Sequence, residues 1–96
     1  MIFTSKKLHY FMVVSESLCI SAASEKLYVT PSPISKSISA IEDELGCLLF
    51  LRNSKGIQLT DDGFQLFKEL IPVYNTLKEI ELKFKSNKNG SFLPAL

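Results

Sequence analysis

The chain has no long apolar run, and this shortage excludes two classes of protein. No stretch of about 18 consecutive apolar residues, the length that a membrane span needs, occurs in the sequence. The first letters, MIFTSKK, place lysines after the apolar residues, which is the reverse of a secretory signal peptide. We therefore expect a cytoplasmic protein with no membrane partner.

Cysteine and histidine are too sparse for a metal centre or a nucleophilic site. Cys19 and Cys47 lack the paired spacing of zinc ligands, and His9 is the single histidine, expected on a helix and partly exposed. Isolated free cysteines are expected to be small buried hydrophobic residues in a reducing compartment. The 96 residues are also too few for a cleft between two layers. We predict a protein that is not an enzyme and binds no cofactor and no metal.

An excess of positive charge is also missing. The net charge is +1, from 11 basic and 10 acidic residues, although nucleic-acid-binding proteins usually carry a marked basic patch. Any DNA binding must therefore depend on where individual cations lie. Three tyrosines and seven phenylalanines are many for this length, which indicates that some apolar surface meets a partner.

Three short apolar stripes with helical spacing follow one another in the first half of the chain. The first predicts a helix from Thr4, its cap, to Ser15, and the second predicts a helix over Ile20–Leu27. The third stripe has spacings of four, three and four and is expected to face inward: Ile34, Ile38, Ile41 and Leu45. Two helices joined by the tight turn at Tyr28 and Val29 are typical of a helix-turn-helix motif.

The third helix is the candidate recognition helix of this motif. Thr30 followed by Pro31 is typical of a helix start, and Gly46 is placed to end the helix in a left-handed conformation. Small hydroxyls and one cation project from the side opposite the apolar stripe: Ser32, Lys36 and Ser39. Such a row suits phosphates and base edges, so this helix is predicted to enter a DNA groove.

A hairpin and a long helix are predicted in the second half. Two short strands are expected at 48–50 and 57–59, around a polar loop that holds Arg52 and Lys55. Thr60 followed by two aspartates predicts the cap and first turn of a long helix. Pro72 predicts a bend or a local break within that helix.

The long helix carries more apolar side chains than a small body can cover. Seven of them recur at spacings of three and four, and all but the last are the predicted dimerisation residues: Phe64, Phe67, Ile71, Tyr74, Leu77, Ile80 and Phe84. We expect this stripe to form the seam of an antiparallel homodimer. Such a dimer sets two recognition helices about 34 Å apart, one turn of DNA, so that each protomer reads one half of a pseudo-palindromic site.

From about Leu8 to Gly63 the sequence resembles the amino-terminal DNA-binding domain of LysR-type bacterial transcriptional regulators. The segment ISAIEDELGCLLFLR carries the strongest likeness, at the positions where the family places I, L, E, L, G, L, F and R: Ile38, Ile41, Glu42, Leu45, Gly46, Leu49, Phe50 and Arg52. Leu59 and Thr60 continue the family pattern before Gly63. The resemblance implies a winged helix-turn-helix in which the groove-facing helix and the wing contact DNA.

The departures from the family pattern lie in and near the recognition helix. Pro31 stands where the family commonly has a glutamine that reaches a base edge, and Pro33 stands where it has a small residue. Leu18 and Ala22 replace a frequent glycine and a frequent arginine, the second of which contacts a phosphate in the family. The resemblance therefore carries the fold and leaves the operator sequence open.

We predict a mainly α fold: a winged helix-turn-helix of three helices and a two-stranded wing at 1–59, a dimerisation helix at 60–86, and a hinge or disordered tail at 87–96. The predicted contacts with double-stranded DNA are Thr30, Pro31, Ser32, Pro33, Ser35, Lys36, Ser39, Arg52 and Lys55. Lys36 is suited to either a guanine edge or a phosphate. The predicted function is sequence-specific regulation of transcription by a homodimer.

Two questions stay open at this point. The family continues into an effector-sensing domain of two α/β lobes, and the chain stops where that domain begins, so no small-molecule effector site is expected in it. The chain is then either part of a longer regulator or a naturally short relative. The alternative function is a protein-interaction module that heterodimerises with a full-length regulator and blocks its DNA binding, since Pro31 and Pro33 alter the groove-facing turn.

Overall fold

Four α-helices and one two-stranded antiparallel sheet make up residues 2–87, the part of the chain that this computed structural model describes. Their order is α1 (Lys6–Ser17), α2 (Ile20–Leu27), α3 (Pro31–Leu45), β1 (Phe50–Asn53), β2 (Gly56–Leu59) and α4 (Asp61–Asn87). The predicted mainly α winged helix-turn-helix followed by a long helix is confirmed. Of the tail predicted at 87–96, Asn87 is the last residue of α4, and 88–96 lie outside the described residues.

The first two helices are capped by side chains that precede them. Ser5 caps α1, since its hydroxyl accepts the Leu8 N–H at 3.1 Å. The predicted cap, Thr4, is therefore wrong, and α1 begins two residues later than expected. Helix α2 occupies its predicted range, and the Cys19 Sγ accepts the Ala22 N–H at 3.5 Å. The prediction that Cys19 is buried is wrong, because this cap position leaves the sulfur exposed.

The hydrophobic core lies between α1, α2, α3 and the base of the hairpin. Its most completely buried large side chains are Phe11, Met12, Val14, Ile34, Ile38 and Leu49. Ala23 of α2 is fully buried, and its small side chain allows close helix packing. Cys47 is half-buried against this core. The core thus fixes one side of α3 and leaves the other side free.

The end of α3 is joined to the hairpin through Glu42. One of its carboxylate oxygens, Oε2, accepts the N–H groups of Leu49 at 2.8 Å and Phe50 at 3.2 Å. Gly46 ends the helix as predicted, with a φ of 75°. Leu45, predicted to face inward, is 55% exposed because the last turn of α3 lies at the rim of the core.

The hairpin is a short, tight wing. Phe50 pairs with Leu59 and Asn53 pairs with Gly56, so the first strand begins two residues later and ends three residues later than its predicted range of 48–50. The tip closes because the Asn53 side chain accepts the Lys55 N–H at 2.8 Å and Gly56 adopts a φ of 123°. Two residues therefore suffice for the turn, and the rest of the predicted loop belongs to the strands.

Helix α4 begins at its predicted cap and continues for 27 residues. The Thr60 hydroxyl accepts the Gly63 N–H at 2.9 Å and donates to the Leu48 carbonyl at 2.7 Å. The helix runs without interruption through Pro72, so the predicted local break is not present. Proline removes only the hydrogen bond to the Lys68 carbonyl, and the helical residues on both sides keep the segment helical.

Candidate nucleic-acid interface

The outer side of α3 carries most of the predicted DNA contacts. Ile34 and Ile38 are 0% and 1% exposed on the inner side. Ser32, Lys36 and Ser39 lie exposed on the opposite side, and Ser35 is half-buried beside them. The predicted row of hydroxyls and one cation therefore faces solvent.

The amino end of α3 retains groups that are able to bind an anion. Thr30 occupies the N-cap position, but its side chain makes no capping hydrogen bond, which differs from the prediction. Pro31 and Pro33 are exposed and have no N–H, so Ser32 supplies the first-turn backbone donor between them. A helix amino terminus with a free hydroxyl and an amide donor suits a phosphate oxygen.

Three of the predicted DNA-contacting cations have no carboxylate partner in the described residues. Lys36 on α3, Arg52 in β1 and Lys55 at the wing tip are all exposed, and none forms an ion pair within residues 2–87. The prediction that Arg52 lies in the wing loop is wrong, since the pairing register places it opposite Ile57. No carboxylate of residues 2–87 therefore neutralises any of these three cations by a direct ion pair.

The carboxylates of α3 itself are confined to its carboxyl end. Glu42 binds backbone amides of the hairpin, and Asp43 and Glu44 follow it in the last turn. Lys36 lies in the amino-terminal half of the same helix. Negatively charged carboxylates repel DNA phosphates. The amino-terminal half of α3, which has no carboxylate, is therefore the part suited to enter a groove.

Tyr28 is a residue that the sequence analysis assigned only to the turn. Its side chain is 93% exposed, and its backbone has a φ of 58°, a conformation that is costly for a residue other than glycine. It lies two residues before Thr30, in the turn between α2 and α3. The sequence offers one indication of this exposure, because Tyr28 is a large aromatic residue at a helix end and has no apolar neighbour in the helical pattern.

Helix α4 presents two adjacent apolar stripes where the sequence analysis expected one. Phe67 and Ile71 are half-buried against the core, and Tyr74 is 5% exposed. These three predicted dimerisation residues therefore pack on their own protomer. Phe64 is 53% exposed, with the Lys68 Nζ 5.5 Å from its ring centre.

The second stripe faces solvent and has spacings of four, three and four. We call it the outer seam, and it consists of Val73, Leu77, Ile80 and Phe84. Two of its residues, Leu77 and Ile80, belong to the predicted dimerisation set. The six predicted residues span an arc of about 200° around the helix, which is wider than the seam of a two-stranded coiled coil.

His9 and Tyr74 join α1 to α4. The His9 Nδ1 and the Tyr74 Oη are 2.6 Å apart, and both side chains lie against the helix interface. Burial, the N-terminal amino group and Lys78 lower the pKa of His9, against the opposing charges of Glu16 and Glu81. Burial and Glu16 raise the pKa of Tyr74. The phenol therefore stays protonated near neutral pH and donates to a neutral imidazole.

Replacing His9 with asparagine is expected to flatten the acid dependence of stability. Because the pKa of folded His9 lies below its ordinary value of 6.5, protons bind the unfolded chain preferentially. The stability contributed by neutral His9 is complete above a pH of about 6.5 and is lost as the pH falls through the lower, folded value. Urea unfolding between about pH 7.5 and pH 5 should show a steeper loss in the wild type than in His9→Asn. Equal slopes in the two chains would contradict this assignment.

The described residues were also compared with the requirements of a metal site and of a membrane span. Within residues 2–87, no three histidine, cysteine, aspartate or glutamate side chains converge to hold a metal ion. The helices of this part of the chain are also too short or too polar to span a membrane.

Comparison with known proteins identifies the domain type. Residues 5–64 match the family model of the bacterial regulatory helix-turn-helix protein, lysR family. The uncharacterized HTH-type transcriptional regulator YgfI of Escherichia coli is 40% identical over 80 residues, which cover 83% of this chain and 27% of that protein. The HTH-type transcriptional regulator ClcR of Pseudomonas putida is 40% identical over 58 residues, covering 60% of this chain and 20% of ClcR. The chain thus spans about a quarter or less of the length of these curated relatives.

Two solved DNA complexes have the same fold. The BenM DNA-binding domain in complex with catB site 1 DNA superposes with a TM-score of 0.77 at 27% identity, over 90% of this chain and 97% of that chain. The CbnR DNA-binding domain in complex with DNA gives a TM-score of 0.73 at 26% identity, over 88% and 97% of the two chains. The chain belongs to the LysR family of bacterial helix-turn-helix transcriptional regulators.

Proposed function

We propose that this chain binds a pseudo-palindromic DNA site as a homodimer in the bacterial cytoplasm and regulates transcription without any enzymatic activity. The observation that carries the proposal is the exposed row of Ser32, Lys36 and Ser39 on a helix whose opposite side is locked into the core. The solved DNA complexes of BenM and CbnR domains with this fold support a DNA partner.

In this proposal the amino-terminal half of α3 enters the major groove. The groove is about 12 Å wide and admits one helix, and its base edges present donors and acceptors that distinguish all four base pairs. Lys36 lies one turn after Ser32 on the exposed side, where its ammonium group is able to reach a guanine edge. Thr30 and the Ser32 amide bind a phosphate, and Arg52 and Lys55 bind the backbone beside the groove.

Lys36→Ala is expected to weaken binding to the preferred duplex by about 1 to 3 kcal/mol and to relax the choice of one base pair. Lys55→Ala is expected to weaken binding to all duplexes alike and to reduce the salt slope by about one counterion. Gel-shift titrations over a salt series, with duplexes selected from a random pool, separate the two effects. Lys83→Ala, which removes an exposed cation of α4, is the matched control. Unchanged binding by both test variants would refute both roles.

For the dimer we propose the outer seam of α4 in place of the six-residue stripe. Val73, Ile80 and Phe84 are 51%, 38% and 63% exposed, which is a large apolar surface for one helix to leave in water. Alternating spacings of four and three are those of a coiled-coil seam. A shallow hollow on the same side, lined by Pro72, Val73, Thr76 and Leu77, suits an apolar side chain from the partner helix.

A second copy of the chain is the occupant we infer for this seam. An isologous pairing places the same stripe of each protomer against the other, so that one set of apolar residues covers both. The alternative, a module that silences a full-length regulator, requires a chain that binds no duplex. No observation in residues 2–87 favours it over the homodimer.

A further inference from the structure

Two partly buried polar contacts hold the second half of α4 to the amino-terminal part of the molecule. The Tyr74 hydroxyl lies 2.6 Å from the His9 Nδ1, and the Glu81 Oε1 accepts the Ile2 N–H at 2.9 Å. Tyr74 and Glu81 are 5% and 6% exposed. They lie seven residues apart and therefore on one face of α4, about 10 Å apart along its axis. We call these two contacts the polar ties.

Both ties are reinforced by neighbouring groups. The His9 and Tyr74 rings stack with centroids 6.0 Å apart, and the Lys78 Nζ lies 5.1 Å from the centre of the Tyr74 ring. The Glu81 Oε2 pairs with the Lys85 Nζ at 3.1 Å. The amide of Ile2 and the charge of Lys85 lower the pKa of Glu81, so its carboxylate stays ionised at neutral pH. These satisfied polar groups specify one arrangement, because sliding or tilting the helix leaves them unpaired.

The polar ties lie at and beyond the last residue of α4 that packs on the hydrophobic core. The first half of α4 packs on the core and the hairpin through residues such as Gly63 and Phe67. The outer seam begins at Val73 and continues along α4 past the hydrophobic core. Beyond Tyr74, whose ring belongs to the hydrophobic core, the contacts that hold the second half of α4 to the rest of the molecule are the Tyr74 hydroxyl and Glu81.

The angle of this second half relative to α3 matters for a dimer on DNA. If the seam joins two protomers, each recognition helix lies at the end of an arm formed by its own body and α4. A rotation of about 10° at the base of an arm of about 30 Å moves its end by about 5 Å, which exceeds the rise of one base pair, about 3.4 Å. A small change in the angle of α4 thus changes which half-site spacing the dimer accepts.

We propose that His9 and Tyr74, together with Glu81 and the Ile2 amide, are positioning residues that set the spacing of the two half-sites. The inference rests on the proposed function, since it requires a homodimer on two half-sites. None of these residues contacts DNA. They act through the angle between α4 and the winged helix-turn-helix, so removing one tie relaxes the spacing requirement and leaves the choice of bases unchanged.

The test uses Tyr74→Phe, which removes the hydroxyl and keeps the buried ring. A duplex selected from a random pool on the wild-type chain is lengthened or shortened at its centre by one and two base pairs. The wild type is expected to lose affinity about tenfold or more for each altered duplex, and Tyr74→Phe about threefold or less. Sedimentation checks that both chains remain dimers, and binding to a single half-site is expected to be equal in both.

Tyr10→Phe is the matched control, since it also removes a hydroxyl from a buried tyrosine, one that lies on α1 and takes no part in the ties. It is expected to keep the wild-type spacing dependence. His9→Leu removes the acceptor and is expected to behave as Tyr74→Phe, so either variant that folds decides the question. If that variant keeps the sharp spacing dependence of the wild type, the inference is wrong and the proposed function is unaffected. Failure of the wild type to bind any selected duplex as a dimer overturns both.

Discussion

Ile80→Asp is expected to convert the dimer into monomers and to lower the affinity for a two-half-site duplex about 100-fold or more. Ile80 is 38% exposed on the outer seam, so an aspartate there is solvated in the protomer and leaves its core intact. In the proposed dimer the carboxylate loses that water, and twofold symmetry introduces the penalty twice. Sedimentation measures the dimer, and gel-shift titration measures the duplex.

Leu82→Asp is the matched control for this experiment. Leu82 is 61% exposed on the same helix and lies about 200° around its axis from Ile80. The two variants introduce the same charge and the same helix propensity two residues apart. Leu82→Asp should therefore remain a dimer with nearly unchanged DNA affinity. If Ile80→Asp forms a dimer of unaltered stability, the outer seam is not the dimer interface. Equal losses of dimer stability and DNA affinity in both variants would contradict the assignment as well.

The choice of position shows what the sequence was able to predict about α4. Helical spacing identified an apolar helix from Phe64 to Ile80, and its length indicated a partner. It did not show that Phe67, Ile71 and Tyr74 face the protomer, because a helix with two neighbouring apolar stripes has the same spacings on both. Only the position of α1 and the hairpin beside α4 decides which stripe is covered. An aspartate at Phe67 would therefore test folding rather than dimerisation.

Helix ends were predictable where the chain carries residues with a specific backbone role. Pro31, Gly46 and Thr60 marked the start or end of a helix at the observed position, since each acts within a few residues of the chain. The hairpin register was less predictable. It depends on Glu42, whose carboxylate holds the amides of Leu49 and Phe50 and so fixes where β1 begins. A contact between a helix and a later strand leaves no local pattern.

In the candidate interface, too, some features were predictable from the sequence and others were not. Exposure of the row on α3 followed from periodicity, because the buried residues Ile34 and Ile38 fix the opposite side. The position of Arg52 within a strand, and the 93% exposure of Tyr28, followed from packing and turn geometry that spacing does not encode. The exposure of side chains was therefore predictable along one helix and was not predictable where two elements meet.

The junction between the wing and α4 depends on the absence of one side chain. Gly63 occupies the first turn of α4, directly against the backbone of Leu49. A methyl group there would overlap the Leu49 carbonyl oxygen and would lie 2.9 Å from the carbonyl carbon and 3.0 Å from the Leu59 Cδ2. That carbonyl accepts the Thr60 N–H at 3.0 Å, and the Leu49 amide is held by Glu42. The obstructing group is therefore fixed from both sides.

Gly63→Ala is expected to destabilise the chain by about 3 kcal/mol or more, a large part of a total stability of about 5 to 15 kcal/mol. The direction of this change in stability is informative, because alanine in place of glycine normally stabilises a helix by about 1 kcal/mol. The midpoint of urea unfolding measures the change, with a constant slope as evidence that folding remains two-state. Gly46→Ala is the matched control, since its φ of 75° strains alanine in open space and should cost about 1 kcal/mol. A Gly63→Ala chain as stable as the wild type would show that α4 does not pack against the Leu49 backbone, and the arm that spaces the two recognition helices would then be anchored elsewhere.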